Sequence, residues 1–334
     1  SIFDATADPK LLRNNFGDLE LSSKCAISDG AGVRRYQLRD SNLPYQTIQP
    51  TVEGASEKWP ARLGLISEWL AKTYETVGLL GPKATIEKLE DQIPPSVLTG
   101  HFGALRGTNK FESVGALVIA SRPAIPPREA EDIAAVLSGA ENTSSLKAGW
   151  YLQSPAWIES RTLGLGWPVA HVRHPNSVVE AVRFAVTEAN VEQARGRGRN
   201  VRRGLEKPLT EYILTSVPLE HQVDATFSYK ELKAATSWPM LMLIAGVWVC
   251  DGKGTAVIGE ILRAILSQTR YSLYKTLIGN SAFESPANWR KDQIERNFEI
   301  RRLCDNVDKA LSIGAGSAEI LFTSFNLSAF QRVK

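Results

Sequence analysis

Three cysteines, four histidines and two methionines in 334 residues leave few of the side chains that soft metals prefer. Cys25, Cys250 and Cys304 are odd in number and show no Cys-x-x-Cys spacing. That argues against a structural zinc and a disulfide framework, and fits free thiols in a reducing, cytoplasmic compartment. His171 and His174 in HVRHP lack a clustered third ligand, so no metal site is expected there. Long apolar runs are also missing. The most apolar stretch, Trp238 to Cys250, is about 13 residues against the roughly 20 that a membrane-crossing helix needs, so it reads as a buried helix or strand. The opening SIFDATADP has neither the charged start nor the apolar core of a signal peptide. Charge of one sign is not in excess either. Lys plus Arg number 39 against 36 Asp plus Glu, a net +3, which excludes a uniformly basic coat and leaves a local basic patch open. No Gly-x-x-x-x-Gly-Lys-Ser/Thr loop and no Asp-Glu-x-x motif occurs. The nearest imitation, GVWVCDGKGT, has Gly246 one residue too far upstream of Gly252-Lys253 and Gly254 in the Ser/Thr place, so it reads as a strand and turn.

What is present is ordinary globular material, 43% hydrophobic and 22% charged, with length for about two domains at roughly 150 residues each. Up to about residue 140, short apolar runs alternate with amphipathic stretches, the pattern of an α/β fold on a parallel sheet. EKWPARLGLISEWLAKTY spaces Leu63, Ile66, Trp69 and Leu70 as a helix does, and ETVGLLGPKATIEKLEDQ reads strand, turn at Gly81-Pro82, helix. VGALVIASRP is a second β-rich run stopped by Pro123. PPREAEDIAAVLSG starts on Pro126-Pro127 and stops at Gly139, as helices do. From Ala140 to Asn176, Trp150, Tyr151, Trp157 and Trp167 among many Gly and Ser suggest a β-hairpin-like insertion turning near GLGW. One amphipathic helix is expected through PNSVVEAVRFAVTEANVEQ, with Val178, Val182, Ala185 and Val186 on its face. PLTEYILTSVPLE is a strand ending at Pro218, followed by mixed, mostly helical sequence to Lys334. There NWRKDQIERNFEIRRLCDNVDKAL carries both charges on a helical period, which suits a solvated face more than phosphate contacts by Arg290, Lys291, Arg301 and Arg302.

The sharpest local feature is EQARGRGRNVRR. Arg195, Arg197, Arg199, Arg202 and Arg203 place five positive charges in nine residues, with Gly196 and Gly198 letting backbone and guanidinium groups approach an anion closely. A solvated basic loop or a nonspecific nucleic-acid patch is the plain alternative on these residues alone. The amphipathic helix before it sets Gln193 and the first arginines at a defined helix end.

This Gln-x-x-Gly-Arg spacing resembles motif VI of superfamily 2 helicases, and three companions stand before it in the family's order. FDATADP resembles motif III, with Asp4 and Thr6. ETVGLLGPKATIEKL resembles motif IV, with Lys83 near a backbone phosphate. GALRGTNKFESVGALVIASRP resembles motif V, with Arg106, Gly107, Thr108 and Asn109, where Asn109 stands in place of the usual Asp. NNFGDLE and the segment before motif VI are similar to large phage- and plasmid-borne helicase or primase-helicase proteins. The resemblance covers roughly residues 1 to 217.

It implies an α/β fold of RecA-like type: residues 1–20 ending a first lobe, 21–217 a second RecA-like domain with an insertion at about 140–176, and 218–334 an accessory C-terminal domain. It also implies roles. Arg197 and Arg199 are the catalytic fingers toward ATP, with the choice between them open because Asn200 replaces the family's last arginine. Gln193, Arg195, Gly196, Gly107 and Asn109 would contact the nucleotide. Arg106, Thr108, Lys83 and Thr6 would contact DNA or RNA, and Asp4 with Thr6 would couple the two. ATP and magnesium would be held mainly by an N-terminal RecA-like lobe of the same protein, so this chain alone is not expected to hydrolyse ATP. A non-catalytic nucleic-acid-binding module built on the 195–203 cluster is the alternative, and a small-molecule α/β enzyme is a third, for which no phosphate loop or convergent acid-base set is found.

Overall fold

The computed structural model describes residues 28–48, 58–71, 73–90, 93–105, 107–139, 149–161 and 166–235, with residues 146 and 164 and two short strands at 247–249 and 320–322. Six strands form one parallel sheet: β1 (Val33–Leu38), β2 (Val77–Gly81), β3 (Val97–His101), β4 (Ala116–Ala120), β7 (Leu209–Leu214) and β8 (Ala225–Phe227), in the order β3-β2-β4-β7-β1-β8. Every residue of β2 (VGLLG) and β4 (ALVIA) is buried. Unbroken apolar runs of this kind belong to strands covered on both faces, which is why they take the sheet's interior and why no alternation shows in them.

Side chains on the two faces of a strand serve two cores. Helices α2 (Lys58–Leu70) and α3 (Lys83–Glu90) cover one face, where Leu63, Leu70, Ile86 and Leu89 meet Val77, Leu79, Val118 and Leu214. The short helix α1 (Tyr45–Ile48) joins them, and Thr85 donates its hydroxyl proton to the Ile48 carbonyl at 2.8 Å. On the other face Leu80, Leu117, Ile119, Leu209 and Ile213 pack with Phe111 and with Val191 and Ala194. The expected strand-turn-helix at Gly81-Pro82 and the helix from Pro127 are both found. The latter, α4 (Pro127–Ser138), ends on Gly139 in the left-handed region at φ 63°. Glycine favours that C-terminal cap because it has no Cβ to clash.

Between β4 and β7 the expected hairpin is present as β5 (Leu152–Glu159) and β6 (Gly166–Arg173), antiparallel, with Trp157 opposite Pro168. The single long helix expected after it is two: α5 (Ser177–Val186) and α6 (Glu188–Gly196). Thr187 breaks the ladder at φ −101°, ψ −79°. The break turns Glu188 inward, where Arg183 Nη2 donates to it at 2.8 Å, a contact a straight helix would have set on another face. Val179, Ala181 and Val182 are buried on α5, while Val178 and Val186 are only partly covered.

The sheet also runs past the expected boundary at residue 217. β8 lies beyond it, and α7 (Tyr229–Ala235) sends Leu232 into the first core. Two further strands, β9 (Val247–Val249) and β10 (Ile320–Phe322), pair antiparallel with Trp248 opposite Leu321. β9 falls in the expected Trp238 to Cys250 segment. The cysteines, Lys253 and the charged stretch from Asn288 lie outside the described residues. Among the described residues no helix is long and apolar enough to cross a membrane.

Candidate functional site

β4 and β7 are neighbours in parallel register, Ala116 beside Thr210, so the loops that lead into them share the sheet's N-terminal edge. One is the loop of Gly107, Thr108 and Asn109. The other is the arginine loop. Ninety residues apart in sequence, they touch: Arg199 Nη2 donates to Asn109 Oδ1.

Each loop is shaped by local chemistry. Gly107 takes φ 73°, a left-handed conformation that glycine adopts without a Cβ clash. Thr108 Oγ1 accepts from the Lys110 N–H at 3.2 Å. Phe111, buried at the end of that loop, lies over Gly78 of β2 and Gly100 of β3, where a Cβ would fall 2.8–2.9 Å from its ring. The two glycines thus make the seat that fixes the Asn109 loop. After α6 the chain continues in tight turns, with the Gly198 N–H bonded to the Arg195 carbonyl at 2.9 Å and the Arg199 N–H to the Gly196 carbonyl at 3.1 Å. Arg199 itself is left-handed at φ 55°, an uncommon state for a residue with a Cβ, and a 3-10 turn over Asn200–Arg202 follows.

The five arginines are not equivalent. Arg195, 2% exposed, lies in a buried ion network. Its Nε donates to Glu211 Oε2 at 3.2 Å and its Nη1 to His221 Nδ1 at 2.9 Å, and it pairs with Glu192 and, at 3.5 Å, with Asp29. Burial opposes its charge, but Glu211, Glu192 and Asp29 outweigh burial and hold its pKa above the ordinary arginine value. The nucleotide contact expected of Arg195 therefore meets a guanidinium already committed to the interior. Arg203 is buried too, donating from Nε to the Gly198 carbonyl at 2.7 Å. Arg199 is partly exposed and held by Asn109, and Arg202 is exposed. Arg197 stands apart: partly exposed, with its Nε buried and bonded to nothing among the described residues.

Glu211 is the centre of the network. It lies beside Arg35 across β7 and β1 and accepts from Arg35 Nε at 2.6 Å and from Asn200 Nδ2 at 2.7 Å. Arg35 also donates to Asp29 at 2.7 Å and to the Gln222 carbonyl at 2.7 Å. Burial raises the Asp29 carboxyl, but Arg35 and then Arg195 more than offset it, leaving its pKa lowered. Two arginines and three carboxylates thus tie down one side of the loop, while Arg197 and Arg199 stay partly exposed.

The remaining expected residues divide. Gln193 is half-buried on α6, and Gly196 is exposed with open space around its Cα. Lys83 starts α3 beyond the C-terminal end of β2, the opposite edge of the sheet, and pairs with Glu87 at 3.6 Å one turn on, so the structure does not bring it to the arginine loop. Asp4, Thr6 and Arg106 lie outside the described residues.

A second buried polar cluster sits where the hairpin meets α4, α5 and α6. His174 Nδ1 accepts the Asn176 N–H at 3.0 Å, which leaves Nε2–H to donate to Glu131 at 3.1 Å. His171 lies 3.5 Å from Glu188. Burial, together with Arg183 and Arg173, pushes its pKa down to about 4. Among the described residues no three His, Cys, Asp or Glu side chains are grouped to hold a metal ion.

Asp29, Gly30, Gly32 and Glu211 escape a motif reading, and the motifs that contain Phe111 and Asn200 do not show the packing and network roles the two have here. Only Glu211 leaves a trace, as a charge in the middle of the apolar run LTEYIL. Comparison of the chain with protein-family models, with curated proteins and with solved structures gives no match.

Chemically, this edge of the sheet offers guanidinium groups on a loop tied to a buried ion network. Ligand crevices of parallel sheets usually open at the strands' C-terminal ends. The arginine pair described here lies instead at the N-terminal end of the sheet.

Proposed function

We propose that this chain is the C-terminal part of a superfamily 2 helicase or translocase, its parallel sheet the second RecA-like lobe. Arg197 and Arg199 reach ATP held with magnesium on an N-terminal RecA-like lobe of the same protein, and DNA or RNA is gripped along the motif IV and V loops. The observation that carries this reading is the meeting of Asn109 and Arg199 at one edge, beside an Arg197 whose Nε has no partner among the described residues. In phosphoryl transfer the equatorial oxygens gain charge, and a guanidinium supplied from a second surface stabilises it only once the surfaces close. Arg197, partly exposed and with its Nε unpartnered among the described residues, is the candidate for that part. Arg199, tied to Asn109, is suited to sense the neighbouring loop as it does so.

ATP hydrolysis by the intact protein tests this directly. Arg197→Ala and Arg199→Ala should each lose turnover while affinity for a nucleic-acid strand changes little. Normal turnover in both variants refutes the finger role. A plain nucleic-acid-binding module is favoured by a different observation, the exposure of Arg202 and Lys207 on the same loop. It requires that Arg197→Ala and Arg202→Ala weaken strand binding alike, each shallowing the salt dependence by about one counterion.

A further inference from the structure

The chain enters the sheet through Asp29-Gly30-Ala31-Gly32, and this strap is stitched to the arginine loop. The Gly30 N–H donates to the Asn200 carbonyl and the Gly32 N–H to the Arg203 carbonyl, both at 2.9 Å. The Leu209 N–H returns a bond to the Gly32 carbonyl at 3.0 Å. Contact is closer than any side chain would allow. A Cβ on Gly30 would lie 2.2 Å from the Arg203 carbonyl oxygen, and one on Gly32 would lie 2.1 Å from that of Gly204. Neither glycine has a positive φ, so close approach is the reason for glycine at both places. Asp29 anchors the strap's start, pairing with Arg35 at 2.7 Å, Arg195 at 3.5 Å and Arg161, which follows β5 of the hairpin, at 3.6 Å.

We propose that Asp29, Gly30 and Gly32 are positioning residues that set where the arginine loop stands, so that the segment entering β1 and the arginines move as one body. Its mechanical consequence rests on the helicase reading above; the geometric claim does not. Arg197 and Arg199 lie between two fixed points, the Arg195 anchor behind them and the strap at Asn200 and Arg203 ahead. Arg195 is held also by Glu211 and Glu192, which are not part of the strap, so shifting the strap displaces the second point more than the first and re-aims Arg199 relative to Asn109. A lobe joined through this strap would thereby carry its own position to the arginines.

The test uses Gly32→Ala in the intact protein, with Gly204→Ala as control, because a Cβ at Gly204 meets nothing within 4 Å. Asp29→Asn is the second variant, removing charge without adding bulk. Hydrogen exchange is read at the bonded amides of Gly198, Arg199, Arg202 and Arg203, and ATP turnover at saturating nucleic acid alongside it. Expected in both strap variants are exchange at those amides faster by about tenfold or more, at unchanged exchange in β2 and β4, and a lower kcat at little-changed KM. Gly204→Ala should do neither. Unchanged loop exchange in both strap variants overturns the positioning claim. Faster exchange with full turnover, where Arg197→Ala abolishes turnover, overturns the mechanical link. Faster exchange with full turnover in Arg197→Ala as well places the failure in the helicase reading and not in the strap.

Discussion

Glu211→Gln removes one charge from the middle of the fold at almost no change in shape. The carboxylate is fully buried and takes three donors, Arg35 Nε at 2.6 Å, Asn200 Nδ2 at 2.7 Å and Arg195 Nε at 3.2 Å. A glutamine amide accepts through its one oxygen and turns its NH2 toward the remaining donors, while two buried guanidinium groups lose their shared counter-charge. Breaking a buried ion pair from one side costs about 3–5 kcal/mol. Asp29 and Glu192 remain within reach of the arginines, so the lower end, about 3 kcal/mol, is the expectation. In a domain of this size that is a fall in Tm of about 6–12 °C. Urea unfolding should show a lower midpoint at an unchanged slope. Because Asn200 also loses its acceptor, trypsin should cut the variant faster after Arg199 and Arg202 under conditions where the fold persists. A loss below about 1 kcal/mol at normal slope would refute the idea that this network braces the arginine loop.

Three smaller outcomes follow from local geometry. Asn176→Ala removes the side chain that caps α5 by accepting the Val178 and Val179 N–H groups at 2.9 and 3.2 Å, and should cost about 1 kcal/mol in denaturant unfolding. Gly139→Ala forces a Cβ into a left-handed cap with nothing within 4 Å to clash, so conformational strain alone remains, about 1 kcal/mol, and a neutral result would contradict the cap. His171 is neutral in the fold, its pKa near 4, and takes up a proton more readily when unfolded. Stability is thus fully kept above pH about 6.5 and falls as pH drops from there toward 4. Thermal unfolding from pH 7 to 5 should be shallower in His171→Gln, and equal slopes would remove His171 from the acid response.

The fold was legible where one physical cause dominated. Buried-strand runs such as VGLLG and ALVIA, the Pro127 start and Gly139 stop of α4, and the aromatic-rich hairpin are each set by their own residues. Thr187 shows the opposite case. Apolar spacing runs through it without a fault, and the break shows only in the backbone of Thr187 and in the inward Glu188 that Arg183 then binds, neither of which the spacing of apolar residues carries. The sheet's extension to β8 was hidden for a similar reason: a three-residue edge strand is recruited by β1, through Leu38 beside Phe227, and not by its own propensity. At the site, the arginine cluster and Gly107 stood out as motifs, yet sorting the arginines needed the partners of each. Arg195 carries no mark in sequence that separates it from its neighbours and is the most occupied of them in space, because its partners Asp29 and Glu211 come from other segments. Gly30 and Gly32 gave no signal beyond being glycines, since what demands them is the backbone of residues 203 and 204.

The proposed role of Arg197 is to act on a nucleotide held outside the described sheet. Its most direct measurement is kcat for ATP hydrolysis by the intact protein at saturating ATP and nucleic acid, for Arg197→Ala beside the exposed neighbour Arg202→Ala. The account predicts a fall of about a thousandfold or more in Arg197→Ala, the scale of a lost arginine finger, with Arg202→Ala close to the unaltered protein. Equal turnover in the two variants would contradict it.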